Sequence, residues 1–349
     1  MGDWLETGKA FGGDVKNVIA EIKKRGLKPA LWVAPFIASA DSKLFQEHPD
    51  WFVKGEDGKP LCFDKVGFGG WRQGPWYCLD GSNREAQRHL TALFKTLSED
   101  WGVEYFKLDA NYWGAIHSGQ RSDKKATRIE AYREGMEAIL RGAGNAFILG
   151  CNHPMWGSLG LIDGSRSSMD IERSWESIAR TGRQNLLRAW QNGRLWWNDP
   201  DCLLLSDNFG GFNEQERSFH VALIHATGGM LLSSDDLARL PLAQRKMLEH
   251  LASLPRQTLR FDDELARGTA PSSDPRTGLP ATLYVLLNWT GRAVVQRFPI
   301  PGRSSMENLL DSDKPYATVF ADGGHVLEVP PRSGRIVRVT TGLPSQSSD

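Results

Sequence analysis

Cysteine is scarce in this 349-residue chain: there are four, Cys62, Cys78, Cys151 and Cys202, and no two form a C-x-x-C pair. A disulfide framework is thereby excluded, and a reducing, cytoplasmic setting is expected. Net charge is lacking as well. Lys plus Arg count 42, as do Asp plus Glu, so the basic surplus that phosphate contacts require is missing and nucleic acid is not an expected partner. No apolar run approaches the ~20 residues of a spanning helix, so no membrane partner is expected either. The opening Met1-Gly2-Asp3-Trp4 has neither the charged region nor the apolar stretch of a secretory signal. Repeats of fixed period and low-complexity segments are absent. His153, His220 and His225 are scattered, without H-x-x-x-H or H-E-x-x-H spacing. Gly67-Phe68-Gly69-Gly70-Trp71 lacks both G-x-G-x-x-G and the K-[ST] of a phosphate-binding loop. Neither a metal nor a nucleotide cofactor is expected.

What the chain does have is apolar mass, 40 % of its residues, and tryptophan, 13 against 6 Tyr. An indole can cover the C–H face of a sugar, although most of these tryptophans read as core filler. A helix is predicted over Ala10–Gly26, where Val15, Val18, Ile19 and Ile22 recur at helical spacing and Gly26 supplies a stop. Strand-like runs follow near residues 31, 78, 106, 148, 162, 196–204 and 231, alternating with helical segments that start near Asn83, Lys124, Ser177, Glu214 and Leu242. Such alternation builds a parallel α/β sheet. Polar and aromatic residues just after the strands favour a (β/α)8 TIM barrel over residues 1–255. The runs number seven, one short of a closed barrel. After Pro255, short β-rich runs at 283–287, 326–329 and 336–339 between Gly/Pro/Asp turns predict a C-terminal antiparallel β-sandwich over residues 256–349.

Two loops carry the candidate chemistry. Phe106-Lys107-Leu108-Asp109 ends a strand in charged residues, and Asp109 would project from its carboxyl end with the Lys107 ammonium keeping it ionised. Such a carboxylate suits a nucleophile or an oxocarbenium stabiliser, against the plainer reading of a strand-end salt bridge. Arg166-Ser167-Ser168-Met169-Asp170 follows a later strand and offers a second carboxylate, against the plainer reading of an Arg–Asp pair ordering a loop. General acid–base work needs one carboxyl protonated beside an ionised partner. Cys151 has no evident base nearby and reads as pocket wall. Asn198-Asp199-Pro200-Asp201 offers hard oxygen ligands without a close histidine, so it reads as a turn rather than a metal site. Ser233-Ser234-Asp235-Asp236 reads as the N-cap region of the next turn.

These motifs, in this order, resemble the bacterial α-galactosidases of glycoside hydrolase family 36. The matching text is Gly2-Asp3-Trp4, Leu31-Trp32-Val33-Ala34-Pro35-Phe36, Glu47-His48-Pro49-Asp50-Trp51, Phe106-Lys107-Leu108-Asp109, Ile148-Leu149-Gly150-Cys151, Gly164-Ser165-Arg166-Ser167-Ser168-Met169-Asp170 and Leu195-Trp196-Trp197-Asn198-Asp199-Pro200-Asp201-Cys202. It spans roughly residues 2–240. The resemblance implies a (β/α)8 barrel followed by a small β-sandwich, and retaining hydrolysis of terminal α-galactosyl groups without a cofactor. It implies Asp109 as nucleophile and Asp170 as general acid/base. Lys107 and Arg166 would contact the ring and its hydroxyls, Trp32 would form a wall and Cys151 would lie near the 2-substituent. The family's N-terminal β-sandwich and first barrel strand, with its paired aspartates, find no counterpart in the sequence, so a truncated form with impaired turnover is expected. A carbohydrate is the expected small-molecule partner, and self-association into a homo-oligomer is left open. The rival readings are a related α-glycosidase, such as an α-N-acetylgalactosaminidase or an α-glucan hydrolase, and a non-catalytic carbohydrate-binding fragment. A metal-dependent hydrolase using Asp199 and Asp201 ranks last.

Overall fold

The computed structural model describes residues 1–8, 11–12, 14–62, 75–206, 211–298, 303–310, 318–320 and 325–343. The Gly-rich segment 67–71, the expected turns at 301–302 and 322–324 and the tail 344–349 lie outside the described residues. The chain divides into two units, Met1–Ser165 and Arg166–Asp349.

In the first unit, helix α1 (Val15–Lys24) starts where the Asp14 side chain accepts from the Lys16 N–H at 2.9 Å. It is followed by Gly26 at φ +74°, a backbone that glycine adopts without strain. Val15 and Ile19 form its buried face. Strand β1 (Ala30–Val33) comes next, then β2 (Ile37–Ser39), the short α2 (Lys43–Glu47), β3 (Trp76–Cys78), α3 (Arg84–Lys95) and β4 (Tyr105–Leu108). Helix α4 (Arg128–Ala143), β5 (Phe147–Gly150) and β6 (Gly164–Arg166) complete the series. Asn83 caps α3 by accepting from the Glu85 and Ala86 N–H groups, and a Thr127–Glu130 capping box opens α4. The two helices pack closely because Gly142 carries no side chain: a Cβ there would meet the Thr91 carbonyl oxygen at 2.2 Å.

Strands β1, β4, β5 and β6 are parallel neighbours in that order, with Trp32 opposite Lys107, Lys107 opposite Leu149 and Leu149 opposite Gly164. The run near residue 78 does not join them. A turn at Pro35-Phe36 folds the chain back, and β3 pairs antiparallel with β2. The Leu79 N–H donates to the Phe36 carbonyl at 2.9 Å and closes the pair. Hence one of the seven sequence runs belongs to a separate two-stranded antiparallel pair, and β1 lies directly beside β4. The strand expected at 161–164 also starts later, at Gly164, because Leu161 sits in a turn.

The second unit continues with α5 (Trp175–Arg188), β7 (Trp197–Asp199), β8 (Cys202–Leu203), α6 (Glu214–Ala226), β9 (Leu232–Ser233) and α7 (Leu242–Ser253). The later strands are β10 (Arg260–Phe261), β11 (Arg267–Ser273), β12 (Pro280–Leu287), β13 (Val294–Phe298), β14 (Ser304–Asn308), β15 (Thr318–Phe320), β16 (His325–Val329) and β17 (Gly334–Thr341). Strands β8 and β9 pair in parallel. The later strands form an antiparallel six-stranded sheet in the order β10-β11-β12-β17-β14-β15 and a separate β13-β16 ribbon. Leu286, Met306, Val337 and Val339 of the large sheet share a buried cluster with Phe298 and Val329 of the ribbon. Helix α6 opens on five polar residues and is buried on every side from Phe219 to Ala226, where Phe219, Val221, Leu223 and Ile224 are fully buried in one core with Leu283, Val285 and Ile336. The close approach needs Gly334, where a Cβ would stand 2.6 Å from that of Ala222. Among the described residues, no helix is long and apolar enough to cross a membrane.

Candidate active site

Lys107 and Asp109 stand two residues apart on one extended segment, so their side chains leave the same face of the sheet. The ladder runs on past the strands' formal ends: the Asp109 N–H donates to the Val33 carbonyl at 2.9 Å and the Cys151 N–H to that of Leu108 at 2.7 Å. With Trp32 in register with Lys107, the pleat brings Trp32, Lys107, Asp109 and Cys151 to a single face at the carboxyl ends of β1, β4 and β5.

The Asp109 carboxylate is gripped at both oxygens. Its Oδ2 accepts from the Trp32 indole Nε1 at 3.1 Å, and its Oδ1 accepts from the Ala110 N–H at 2.7 Å. Ala110 achieves this in the left-handed region, at φ +53°, an uncommon backbone for a residue with a Cβ. Both donors are neutral. The Lys107–Asp109 ion pair expected from the sequence is not formed among the described residues; the carboxylate's partners are the indole of the adjacent strand and the next backbone N–H. Trp32 is 39 % exposed, and its ring meets Trp4 edge-on at 5.7 Å. Cys151 is buried.

Just beyond Cys151, His153 lies between two hydroxyls, with Nδ1 2.9 Å from Ser158 Oγ and Nε2 2.9 Å from Ser165 Oγ. Ser158 spends its own proton on the Pro154 carbonyl, so it accepts from His153 Nδ1. Burial pushes His153 down to about 4. The ring is therefore neutral, and Nε2 accepts from Ser165. That chain of bonds ties the loop after β5 to β6.

In the second unit, Arg166 is the hub. Its Nε donates to Asp199 Oδ2 at 3.1 Å, and its Nη1 donates to Asp170 Oδ1 at 2.9 Å and Asp201 Oδ2 at 3.0 Å. The guanidinium side chain is 5 % exposed, Asp199 is fully buried and Asp201 nearly so, whereas the Asp170 side chain is 91 % exposed. Asp170 and Arg166 are thus brought together as the sequence suggested, within a larger cluster of one cation and three carboxylates. Asp199 and Asp201 were readable from sequence only as a turn. They do make one, since Asp199 Oδ1 accepts from the Asp201 N–H at 2.7 Å. Their remaining oxygens face Arg166, the Ile171 N–H and the Cys202 N–H. A missed signal was available: the 35 residues after Arg166 hold three aspartates, Asp170, Asp199 and Asp201, and a buried guanidinium needs more than one acceptor.

Ser233 and Asp236 cap the following turn as expected, accepting from the Asp235 and Ala238 N–H groups at 3.4 and 3.1 Å. Asp235 between them also accepts from the Leu205 and Ser206 N–H groups and from Arg173, and these bonds hold its carboxyl below the usual range despite burial. Among the described residues, no group of three or more His, Cys, Asp or Glu side chains is arranged to hold a metal ion.

Two family models match the chain: Melibiase over residues 1–143 and Alpha galactosidase A over residues 89–254. The A type blood alpha-D-galactosamine galactosaminidase of Flavonifractor plautii is 28 % identical over 160 residues, covering 43 % of this chain and 15 % of its own length. The alpha-galactosidase of Escherichia coli is 28 % identical over 130 residues, covering 37 % and 17 %. Among solved structures, the alpha-galactosidase of Thermus thermophilus bound to p-nitrophenyl alpha-D-galactopyranoside superposes with a TM-score of 0.64 at 29 % identity, covering 75 % of this chain and 54 % of the other. A β-L-arabinopyranosidase from Geobacillus stearothermophilus shares the fold, with a TM-score of 0.69, 14 % identity and coverage of 95 % and 78 %. The chain spans about half the length of the Thermus structure and under a fifth of the curated relatives it matches. Over residues 1–254 it is related to the melibiase and α-galactosidase glycoside hydrolases.

Proposed function

We propose that this chain supplies the catalytic part of a cytoplasmic, retaining α-galactosidase of the family 36 type, with a (β/α)8 barrel over residues 1–255 and a β-sandwich over residues 256–349. The observation that carries the reading is the Asp109 carboxylate. It stands at the carboxyl end of a parallel strand, held by two neutral donors, and among the described residues no ion pair is formed with it. In the first step an Asp109 oxygen attacks the anomeric carbon as the glycosidic C–O bond breaks, and Asp170 gives its proton to the departing oxygen. In the second step water attacks the glycosyl ester, loses a proton to Asp170 and frees Asp109, so configuration is retained. Lys107 and Arg166 bond sugar hydroxyls, Trp32 covers an apolar face and Cys151 lines the space near C2.

The test is covalent trapping with a fluorinated α-galactosyl fluoride, followed by peptide mass spectrometry. A galactosyl adduct on Asp109 is expected. Hydrolysis of α-galactosides with the label on another residue overturns the assignment. A second reading, cleavage of α-linked galactosamine, is favoured by the Flavonifractor relative. Aryl α-galactosaminide turned over faster than aryl α-galactoside would select it.

A further inference from the structure

The Arg166 cluster holds a charge imbalance that a plain salt bridge would not need. One guanidinium faces three carboxylates, and two of these, Asp199 and Asp201, are buried against it. Each carboxylate taken out of water costs solvation, so a second one beside a single cation calls for a reason. Asp201 supplies one by its geometry. The same oxygen, Oδ2, accepts from Arg166 Nη1 at 3.0 Å and from the Ile171 N–H at 2.8 Å. The first donor is the nitrogen that also holds the Asp170 carboxylate, and the second belongs to the residue after Asp170. One oxygen thus fixes both the backbone and the side-chain partner of Asp170.

We infer that Asp201, with Asp199 behind it, is the positioning residue of the acid/base carboxylate: it aims Asp170 and satisfies Arg166 in advance, so that the arginine orients Asp170 without drawing off its proton. The inference rests on the role given to Asp170 above. Its electrostatic half follows from counting. A lone guanidinium 2.9 Å from Asp170 would favour the ionised carboxylate, which cannot act as an acid. Two carboxylates on the same guanidinium leave a net charge of −1 beside Asp170. Among the described residues two further titratable groups meet the cluster: the Cys202 thiol, pushed up to about 12 by burial and by Asp201 and Asp199, and His220, pushed down to about 4 by burial, so neither adds charge at neutral pH. The positional half follows from backbone. Asp201 sits in the left-handed region at φ +73°, held there by its own Oδ1 bond to the Cys202 N–H.

Asp201→Asn is the discriminating variant, because asparagine tolerates the left-handed backbone and keeps the shape. Its one carbonyl oxygen can keep either the Oδ2 bonds to Arg166 and the Ile171 N–H or the Oδ1 bond to the Cys202 N–H, not both, because the amide nitrogen accepts nothing. Rates are measured on two substrates in one preparation: a dinitrophenyl α-galactoside, whose leaving group needs no proton, and an alkyl α-galactoside, whose leaving group does. The ratio of the two is independent of how much protein is correctly folded. The expected result is a loss of about 10- to 100-fold in kcat/KM on the alkyl substrate with less than about threefold on the dinitrophenyl one. The alkaline limb of the alkyl profile should move about one unit to lower pH, since losing a negative charge favours ionised Asp170. Asp199→Asn should shift the limb in the same direction. Equal losses on both substrates with the limb unmoved overturn the inference and make Asp201 a structural residue only. A wild-type chain that hydrolyses neither substrate overturns the parent reading and this one with it; a wild type whose Asp170→Ala variant shows the leaving-group dependence while Asp201→Asn does not overturns this one alone.

Discussion

The end of β4 and the turn between β7 and β8 both present aspartates, and they handle them in opposite ways. Asp109 accepts from an indole and a backbone N–H, so its orientation is set by donors that carry no charge. Asp199 and Asp201 lie against a buried guanidinium and take further bonds from backbone N–H groups, so their charge is consumed locally. A carboxylate that must bond to carbon needs the first arrangement; one that must hold another group still needs the second. Hydrogen-bond donors, more than burial alone, tell which aspartate can react.

The comparison breaks most visibly at Asp109. If this carboxylate is the reactive one, Asp109→Asn keeps the side-chain shape and one of the two accepting oxygens yet removes the nucleophile. Loss of kcat on the order of 10⁴-fold or more is expected with an aryl α-galactoside. Retention of a tenth of the activity would show that the neutral-donor arrangement does not mark the nucleophile.

How far this difference could be read in advance depends on which contacts are local. Asp109 was legible as a strand-end carboxylate and Asp170 as a carboxylate in the loop after a later strand, because chain order alone puts them after apolar runs. Trp32 as a donor to Asp109 was not, since that contact joins residues 77 positions apart through strand register. The helices were read well from spacing and caps, Asn83 and Gly26 included. The strand near residue 78 was found, but nothing in its apolar residues distinguishes a parallel partner from the antiparallel pairing with β2 that it makes. Strand β14 escaped for a different reason. Its inward residues are Ser304, Met306 and Asn308, and the polar two are satisfied by His325 Nε2 and the Leu310 N–H rather than by apolar contact. Alternation of polarity, the usual strand signal, is erased when buried polar groups find partners.

The second break is on the side of the consumed carboxylates. Arg166→Met removes the cation and leaves Asp199 and Asp201 buried without it. Removing one partner of a buried cluster costs roughly 3–5 kcal/mol, which a urea titration resolves as a lower midpoint with an unchanged slope. Adding Asp199→Asn to Arg166→Met should recover part of that loss. If Arg166→Met alone changes stability by less than about 1 kcal/mol, the aspartates are not held by charge and the contrast with Asp109 loses its basis.

The second unit extends its dry chemistry to histidine, which gives the comparison a pH axis. His220 and His225, both on α6 and both buried, are pushed down to about 4 by desolvation. The unfolded chain takes up protons near 6.5, whereas these sites resist until about 4. Unfolding therefore binds protons between those values, so stability is complete above 6.5 and falls as pH drops towards 4. Each histidine contributes up to about 3 kcal/mol of that loss. His220→Gln should flatten the profile by one such increment. A stability curve level from pH 7 to 4 would mean that α6 opens to solvent far more readily than its packing indicates.

The smallest effect tests the first side of the comparison from its donor. Trp32→Phe keeps an aromatic face and deletes one N–H, the one that reaches Asp109 Oδ2 at 3.1 Å. Bonds to charged groups contribute about 1.5–3 kcal/mol when shielded, but Trp32 is 39 % exposed, so water can replace the indole in part. The Ala110 N–H still holds the other oxygen. A fall of about 3- to 10-fold in kcat/KM, or roughly 1 kcal/mol, is expected, appearing in kcat rather than KM because the sugar-facing surface persists. The Asp109 side chain would then be oriented by two donors of which either alone nearly suffices. A loss matching that of Asp109→Asn would mean instead that the indole N–H acts on the reacting carboxylate in the transition state, and that neutral donors at β4 are part of the chemistry rather than its frame.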